Sequence, residues 1–567
     1  MISRQILNPF CFVILLLIWV SKNKNYSTAY SLPPCNHDSI FKNFKMNSLH
    51  AMHCNYRHVL HDGSARYMTG GITTKTKEDK KDEQIWKKNS EKKIDPPSFL
   101  EALWGIAINQ SPWEYMIQMK KQGYDGVVPV KLGPFGNYQF LLNPQVVRAV
   151  TVEEASILPR RFSVPLFETL ELDKGLVYEQ GDRHKLHKRT CIPSFEQARS
   201  MESFVAATRD ELEYLSTRRF YDLHFIDLYS EMRKSALNVV LDVTFGLGKE
   251  GATNFKQSEL LSKTIAEYLE RIVALANEIP PLWQISPRLS NNYSRVTDII
   301  LPQLRDLVAD VIATRRMFQQ QVNEENRNDS KYQSRSKNKA DLLGVLVAID
   351  FDDSDIQSIL FDVVIAGSDT TASTITAAIY TLCQPENKIW LQKIREEAKR
   401  TNAGKDARLE DLRSTLPVCL SVAREILRLY PPVPFVGRTA TQDGYLCDGE
   451  YLVKTGDTFC FSPWFLGRDP TNWSSASGSA TEFNPQRWID DPINGGASSS
   501  FSWLPFGAGP RGCLGTRLGL TEVVLGVARL LLDYEFEFEA KGPLPVRYDL
   551  TLNLDGVMQC KLNRRRK

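Results

Sequence analysis

A single cysteine among glycines, directly ahead of an apolar helical run, limits this chain more than any other feature. Residues 504–515 read LPFGAGPRGCLG, and TRLGLTEVVLGVARLLLDY follows over 516–534. Glycine and proline oppose regular structure up to Cys513, and the apolar residues after it recur at helical spacing. Cys513 is therefore expected just before or at the N-terminus of a helix over 514–533. Backbone N–H groups and the positive end of the dipole favour a thiolate there. Glycines let the backbone approach something flat and close, and Arg511 adds a fixed cation nearby. Together these describe a thiolate axial ligand for haem iron, with N–H donors tuning the sulfur. Two blander readings stand beside it: a glycine-rich turn around a buried cysteine, and a reactive nucleophile, which would need a base.

Histidine usage bears on that choice. Of eight histidines, five (His37, His50, His53, His58, His61) fall in the first 61 residues, and none follows His224. The C-terminal half thus has no histidine to act as base or ligand, and a metal held there must use cysteine or carboxylate. The ten cysteines include no CxxC pair, so neither a zinc ribbon nor a redox dithiol is signalled. With 42% hydrophobic and 24% charged residues, the body of the chain reads as globular. A net charge of +3 over 567 residues gives no reason to expect a nucleic-acid partner.

The N-terminus reads as a targeting region. Phe10–Val20 is an unbroken apolar run of eleven residues, short of the about 20 that a membrane span needs. It suits a signal-peptide core over 1–29, with Ser27 and Ala29 as small residues before a cleavage point at Tyr30. The alternative is an uncleaved anchor lengthened by Ile6 and Leu7. Residues 30–95 are basic, polar and aperiodic, as in a disordered transit-peptide-like linker. A signal core, an aromatic cleavage point and a basic stretch together resemble the bipartite plastid presequence of algae with complex plastids. DPPSF (95–99) reads as a stiff hinge into one domain over 96–567.

That domain reads as mainly α with minor β. A hairpin is expected from YDGVVPVKLG and YQFLLN, long helices over 200–320 and 354–430, and short strands near 439–460. Residues 319–341 read as a solvated loop. Within the helical part, LFDVVIAGSDTTAS (360–373) sets Gly367, Asp369 and Thr370 inside an apolar run. Buried Asp and Thr need partners. A local widening of the helix would admit water and let them relay protons; a helix N-cap is the alternative. Glu425 and Arg428 in REILRLYPPVP stand three apart on one helical face, a spacing that by itself marks only an ion pair.

Phe506, Gly509, Arg511, Cys513 and Gly515 fit FxxGxRxCxG, which resembles the haem-binding signature of the cytochromes P450. The 360–373 stretch is similar to that family's AGx(D/E)TT helix, and Glu425–Arg428 followed by Phe483, Pro485 and Arg487 is similar to its ExxR and FxPxR blocks. GDRHKLHKRTCIPSF (181–195) resembles its GxxWxxxRxxxxPxF helix, with His184 and Lys188 in place of tryptophan and arginine. The blocks occur in family order over about 95–560.

The resemblance implies the P450 fold, with haem b between a long distal helix and the proximal cysteine loop. It implies Cys513 as iron ligand, Phe506, Gly507 and Gly515 against the cofactor, and Arg511, Arg438, His184 and Lys188 toward its propionates. Asp369 and Thr370 would handle protons, while Glu425, Arg428 and Arg487 form a structural network. Ile365, Ala366, Thr370, Val433, Phe435 and Val436 would line an apolar pocket. The implied reaction puts one oxygen atom of O2 into a lipophilic substrate, with electrons from a separate NADPH-cytochrome reductase or ferredoxin docked near Lys188, Arg189 and Arg517. ELDKGLVYEQGD is distantly similar to the carotenoid-hydroxylase branch of plants and algae; sterol or fatty-acid hydroxylation is the alternative. Membrane association, in the plastid or the endoplasmic reticulum, would follow. A haem-thiolate isomerase or dehydratase of hydroperoxides, and a non-catalytic haem sensor, are the rival classes. Asp369–Thr370 speaks against the isomerase or dehydratase.

Overall fold

The computed structural model describes residues 95–565, apart from 110, 133–136, 163–165, 168–169, 171–172, 222, 246–254, 277, 279–281, 329–340, 405–411, 475–477, 549–550 and 555–557. The expected signal or anchor and the linker lie outside the described residues. The long helices are α1 (Phe99–Asn109), α2 (Pro112–Lys121), α3 (Gly181–Glu196), α4 (Ala198–Tyr214), α5 (Leu228–Phe245) and α6 (Phe255–Ala276). They continue with α7 (Leu301–Asn328), α8 (Asp353–Cys383), α9 (Lys388–Arg400), α10 (Pro417–Leu429) and α11 (Thr516–Asp533). The chain is mainly α with minor β, as its patterning implies. Among the described residues no helix is long and apolar enough to cross a membrane.

One sequence expectation fails here. The charged stretch from 319 was read as loop, yet α7 runs on to Asn328. Gln319, Gln320, Gln321, Glu324, Glu325 and Arg327 are good helix formers, and they carry the last turns of α7 into the charged stretch.

The strands are β1 (Val127–Lys131), β2 (Asn137–Leu141), β3 (Arg160–Arg161), β4 (Phe225–Asp227), β5 (Val436–Thr439) and β6 (Gly444–Leu446). They end with β7 (Tyr451–Val453), β8 (Thr458–Phe461), β9 (Tyr534–Phe538), β10 (Val546–Tyr548), β11 (Leu552–Leu554) and β12 (Gln559–Arg564). The largest sheet has the order β1-β2-β8-β5-β3. Its last pairing sets Arg161 opposite Arg438, a contact between two cations that matters below.

The 31-residue α8 organises the core; at 1.5 Å per residue it is about 46 Å long. The Asp352 side chain caps it by accepting from Ser354 N–H, and Asp353 and Asp355 complement the positive end of its dipole. Its first half, Ile356–Val364, packs with α5, α6 and α7. Its second half, from Ala372, packs with α10, α11 and β9. The stretch between belongs to a cavity. Helix α5 can lie this close because residue 367 is glycine: a Cβ there would stand 2.7 Å from Val240 Cγ2.

Behind this core, Glu425, Arg428 and Arg487 meet with no solvent-exposed side-chain surface. Glu425 accepts from Arg428 Nε (2.8 Å) and Nη2 (2.7 Å), Arg487 Nε (3.2 Å), Trp488 Nε1 (3.0 Å) and Asn484 N (2.8 Å). Burial would raise the Glu425 carboxyl, but Arg428, Arg487 and the Asn484 N–H outweigh it and hold it below the ordinary carboxylate value. Arg428 also donates to the carbonyls of Gly467, Ala480 and Glu482, tying α10 to the segment before the cysteine loop. Arg428→Met is predicted to cost about 3–5 kcal/mol, because it removes one of the two cations and two of the five donors that hold a fully buried carboxylate. Urea unfolding measures this; a loss below about 1 kcal/mol would mean that the charges are hydrated instead.

Candidate functional site

The cavity, about 410 Å³, lies between the middle of α8 and the 504–515 loop. Ile365, Ala366, Asp369 and Thr370 form one wall, and Phe506, Gly507, Cys513 and Gly515 the other. The loop has no regular structure beyond a single 3₁₀ turn at Gly509–Arg511. Gly507 and Gly509 stand at φ 65° and 66°, the left-handed region. A Cβ on Gly509 would also fall 1.8 Å from Thr151 O, so no other residue fits. The Cys513 N–H donates to Phe506 O at 2.9 Å, closing the turn that carries the sulfur.

Cys513 opens onto the cavity. Burial raises its thiol above the ordinary value, and the Gly515 N–H, Arg161, the Thr516 hydroxyl and Lys188 pull it back down. Cys191, with burial alone, is pushed up to about 12. Opposing groups also act on Cys383 and Cys419; what sets Cys513 apart among the described cysteines is that it lines the cavity.

Cations crowd one end. Arg161, Lys188, Arg438 and Arg511 all line the cavity, with His184 beside them, and among the described residues no carboxylate forms an ion pair with any of the three arginines. Burial, then Arg161, pushes Arg511 down to about 10. Burial, then Arg161 and Arg511, lowers Arg438 well below the ordinary guanidinium value. Arg511 spends its donors on Pro159 O (3.1 Å), Glu179 O (2.7 Å) and Gln180 Oε1 (2.8 Å). Arg438 donates to Gly437 O (3.0 Å), and Arg161 Nε is buried with no partner. Arg161 and Arg438 therefore have the most to offer an anion. Sequence reasoning missed Arg161: a two-residue strand has no motif, and only the β5 register brings it to the site.

The two substitutions in the α3 block behave differently from expectation. His184 faces the cavity, but burial, then Arg511 and Lys188, pushes it down to about 3, so it is neutral. Lys188 gives its ammonium to Pro510 O (2.6 Å) and Gly512 O (2.9 Å), bracing the cysteine loop instead of pointing freely at an anion. The exposed ones of the expected docking cations are Arg189 and Arg517.

On the opposite wall α8 remains regular α-helix through Asp369 and Thr370, which corrects the expected widening. The reason is local: Thr370 Oγ1 donates back to Ala366 O (2.7 Å), and Asp369 finds partners outside the helix. Asp369 Oδ1 accepts from Tyr229 Oη (2.7 Å) and Oδ2 from Thr551 Oγ1 (2.7 Å). Val433 and Val436 line the cavity as expected. Phe435 does not; it packs against the core instead, edge-on to Phe140 at 5.7 Å. Asp362, two turns before Asp369, is a further cavity residue that sequence reasoning passed over. It accepts from Val177 N–H at 2.6 Å and pins the cavity-lining segment Leu176–Tyr178.

A cavity with a cysteine sulfur in one wall, glycines where a flat face would approach and unneutralised cations at one end fits a haem-thiolate protein. The chain matches the family model of the cytochromes P450 over residues 95–559. The chain belongs to the cytochrome P450 family, whose members are haem-thiolate proteins, and it is a monooxygenase. It is 26% identical over 438 residues to Protein LUTEIN DEFICIENT 5, chloroplastic, of Arabidopsis thaliana, covering 75% of this chain and 69% of that one. Cytochrome P450 704B1 of the same plant is 26% identical over 475 residues, covering 77% and 88%. The human Cytochrome P450 4F12 is 25% identical over 436 residues, covering 72% and 77%.

The Asp362 carboxyl has a stability consequence. Burial raises it to about 7 from the ordinary 3.8, against the Val177 and Leu176 N–H groups and Arg161. Its folded pKa exceeds the unfolded one, so its contribution is complete below about pH 4 and vanishes as pH rises through about 7. Asp362→Asn is predicted to lose less stability than wild type between about pH 5 and pH 8 in urea unfolding. An equal loss in both proteins would place the titration elsewhere.

Proposed function

We propose that this P450 oxygenates a lipophilic isoprenoid, a carotenoid before a sterol or fatty acid, at a plastid membrane with electrons from a separate protein. The observation that carries this is the likeness to LUTEIN DEFICIENT 5, chloroplastic, over three quarters of the chain. That relative's name points to both a carotenoid and the plastid. The lining of Ile365, Ala366, Val433 and Val436 supports an apolar substrate.

Each residue's part follows from its surroundings. Cys513 supplies the thiolate, with Phe506, Gly507 and Gly515 leaving room beside it for a flat group. Arg161 and Arg438, with Arg511 behind them, receive the two propionates of haem b, which removes the penalty of like charges in a low-dielectric cavity. Haem, when bound, supplies activation of O2, one atom entering the substrate and the other leaving as water with two electrons from the partner. Asp369 and Thr370 hold and pass the protons this consumes. Arg189 and Arg517 are exposed near the Cys513 end of α11 and offer a docking face to an acidic reductase or ferredoxin.

Expression with a reductase or with a ferredoxin system, followed by metabolite comparison, tests the substrate class. Hydroxylated isoprenoids are expected; turnover of hydroperoxides without an electron donor would overturn the proposal. Thr370→Ala is predicted to lower product by on the order of 10²-fold while O2 uptake continues. Full coupling of O2 to product in that variant would remove Thr370 from proton transfer.

A further inference from the structure

We propose that Tyr229 and Thr551 are positioning residues that aim the Asp369 carboxylate, and that proton delivery in this enzyme depends on them. The proposal rests on the proton-handling role given to Asp369 above. The two residues come from unrelated parts of the chain. Tyr229 is in the first turn of α5, whose start is fixed by Leu228 N–H donating to Met558 O at 3.0 Å. Thr551 precedes β11, and its neighbour Leu552 donates to Pro432 O at 2.8 Å, next to the cavity residue Val433. Each hydroxyl donates to a different oxygen of Asp369, both at 2.7 Å. Arg233, one turn after Tyr229 on α5, stands with Nε 3.5 Å from Oδ1. Tyr229 and Arg233 are the charged or titratable groups facing Asp369 from α5, and the antiparallel β10–β11 hairpin contributes the neutral Thr551; Asp362 lies two turns away on α8 itself.

The geometry is more selective than burial of an acid requires. An ionised carboxylate has about four acceptor sites over its two oxygens. One hydroxyl on each oxygen fixes the plane of the group; Arg233 also approaches Oδ1, and Oδ2 keeps a site for water or substrate. Asp369, Arg233 and Thr551 all line the cavity, so the clamped carboxylate borders the space in which a substrate would sit. A misaimed carboxylate would still bind protons but pass them poorly, since transfer falls off steeply with misplacement. Motif reading could not find the pair: Tyr229 is 140 residues before Asp369 and Thr551 182 after it.

Tyr229→Phe and Thr551→Val keep shape and remove one hydroxyl each. Both are made in the wild-type and Asp369→Asn backgrounds of the full-length holoenzyme, with β-carotene as the probe substrate. Hydrogen peroxide released per O2 consumed is expected to rise severalfold in each single variant, with the half-saturating β-carotene concentration unchanged. In the Asp369→Asn background neither substitution should raise it further, because both act only through that carboxylate. Urea unfolding of wild type, Tyr229→Phe, Asp369→Asn and the double variant reads the contact without turnover, and Tyr229 and Asp369 should be non-additive. An equal rise in both backgrounds, or none in wild type, overturns the proposal. Wild-type peroxide yield in Asp369→Asn alone would remove Asp369 from proton handling and take the proposal with it, while the unfolding cycle would still report a structural clamp.

Discussion

Like charges held together out of water are the constraint on which the rest of this molecule depends. Arg161 and Arg438 oppose each other across β3 and β5, and Arg511 closes on them from the cysteine loop. Arg161 Nη2 donates to the Arg511 carbonyl at 2.7 Å, so even the backbone geometry of the loop is tied to this cluster. Burial and mutual repulsion depress Arg438 and Arg511. A fold retains such an arrangement at a cost unless a ligand brings anions to it. The two propionates of a haem would do so, and of these cations Arg161 also opposes the burial that raises the Cys513 thiol.

The architecture holds that site from two sides. On one, the α8 seam leaves its middle stretch out of both flanking cores, and Gly367 lets α5 come close enough to bring Tyr229 and Arg233 to Asp369. On the other, the Glu425–Arg428–Arg487 network ties α10 to the strand-poor segment that leads into the loop. Lys188 then braces the loop from α3. Loop residues with glycine-dependent backbone have little intrinsic order, so their geometry is imposed from outside.

Much of this was legible in the chain. The cysteine loop, the α8 stretch and the ExxR block are local patterns, and each lies where its spacing placed it. What was not legible depends on long-range register. Arg161 reaches the site only because β3 pairs with β5. Tyr229 and Thr551 carry no signal until α5 and the hairpin are packed against α8. Lys188 had the expected position but a different partner, because local motif position does not say which acceptor a flexible ammonium finds. Phe435 lies in the irregular segment before β5, where motif position does not say which side chain turns to the core.

The central claim is that Cys513 provides the thiolate to a haem seated against this cationic end. The most direct measurement is the CO difference spectrum of the reduced protein, wild type against Cys513→Ser, with haem content determined in both. The account predicts a thiolate-type spectrum in wild type and its loss in the variant. A thiolate-type spectrum that survives in Cys513→Ser would contradict it.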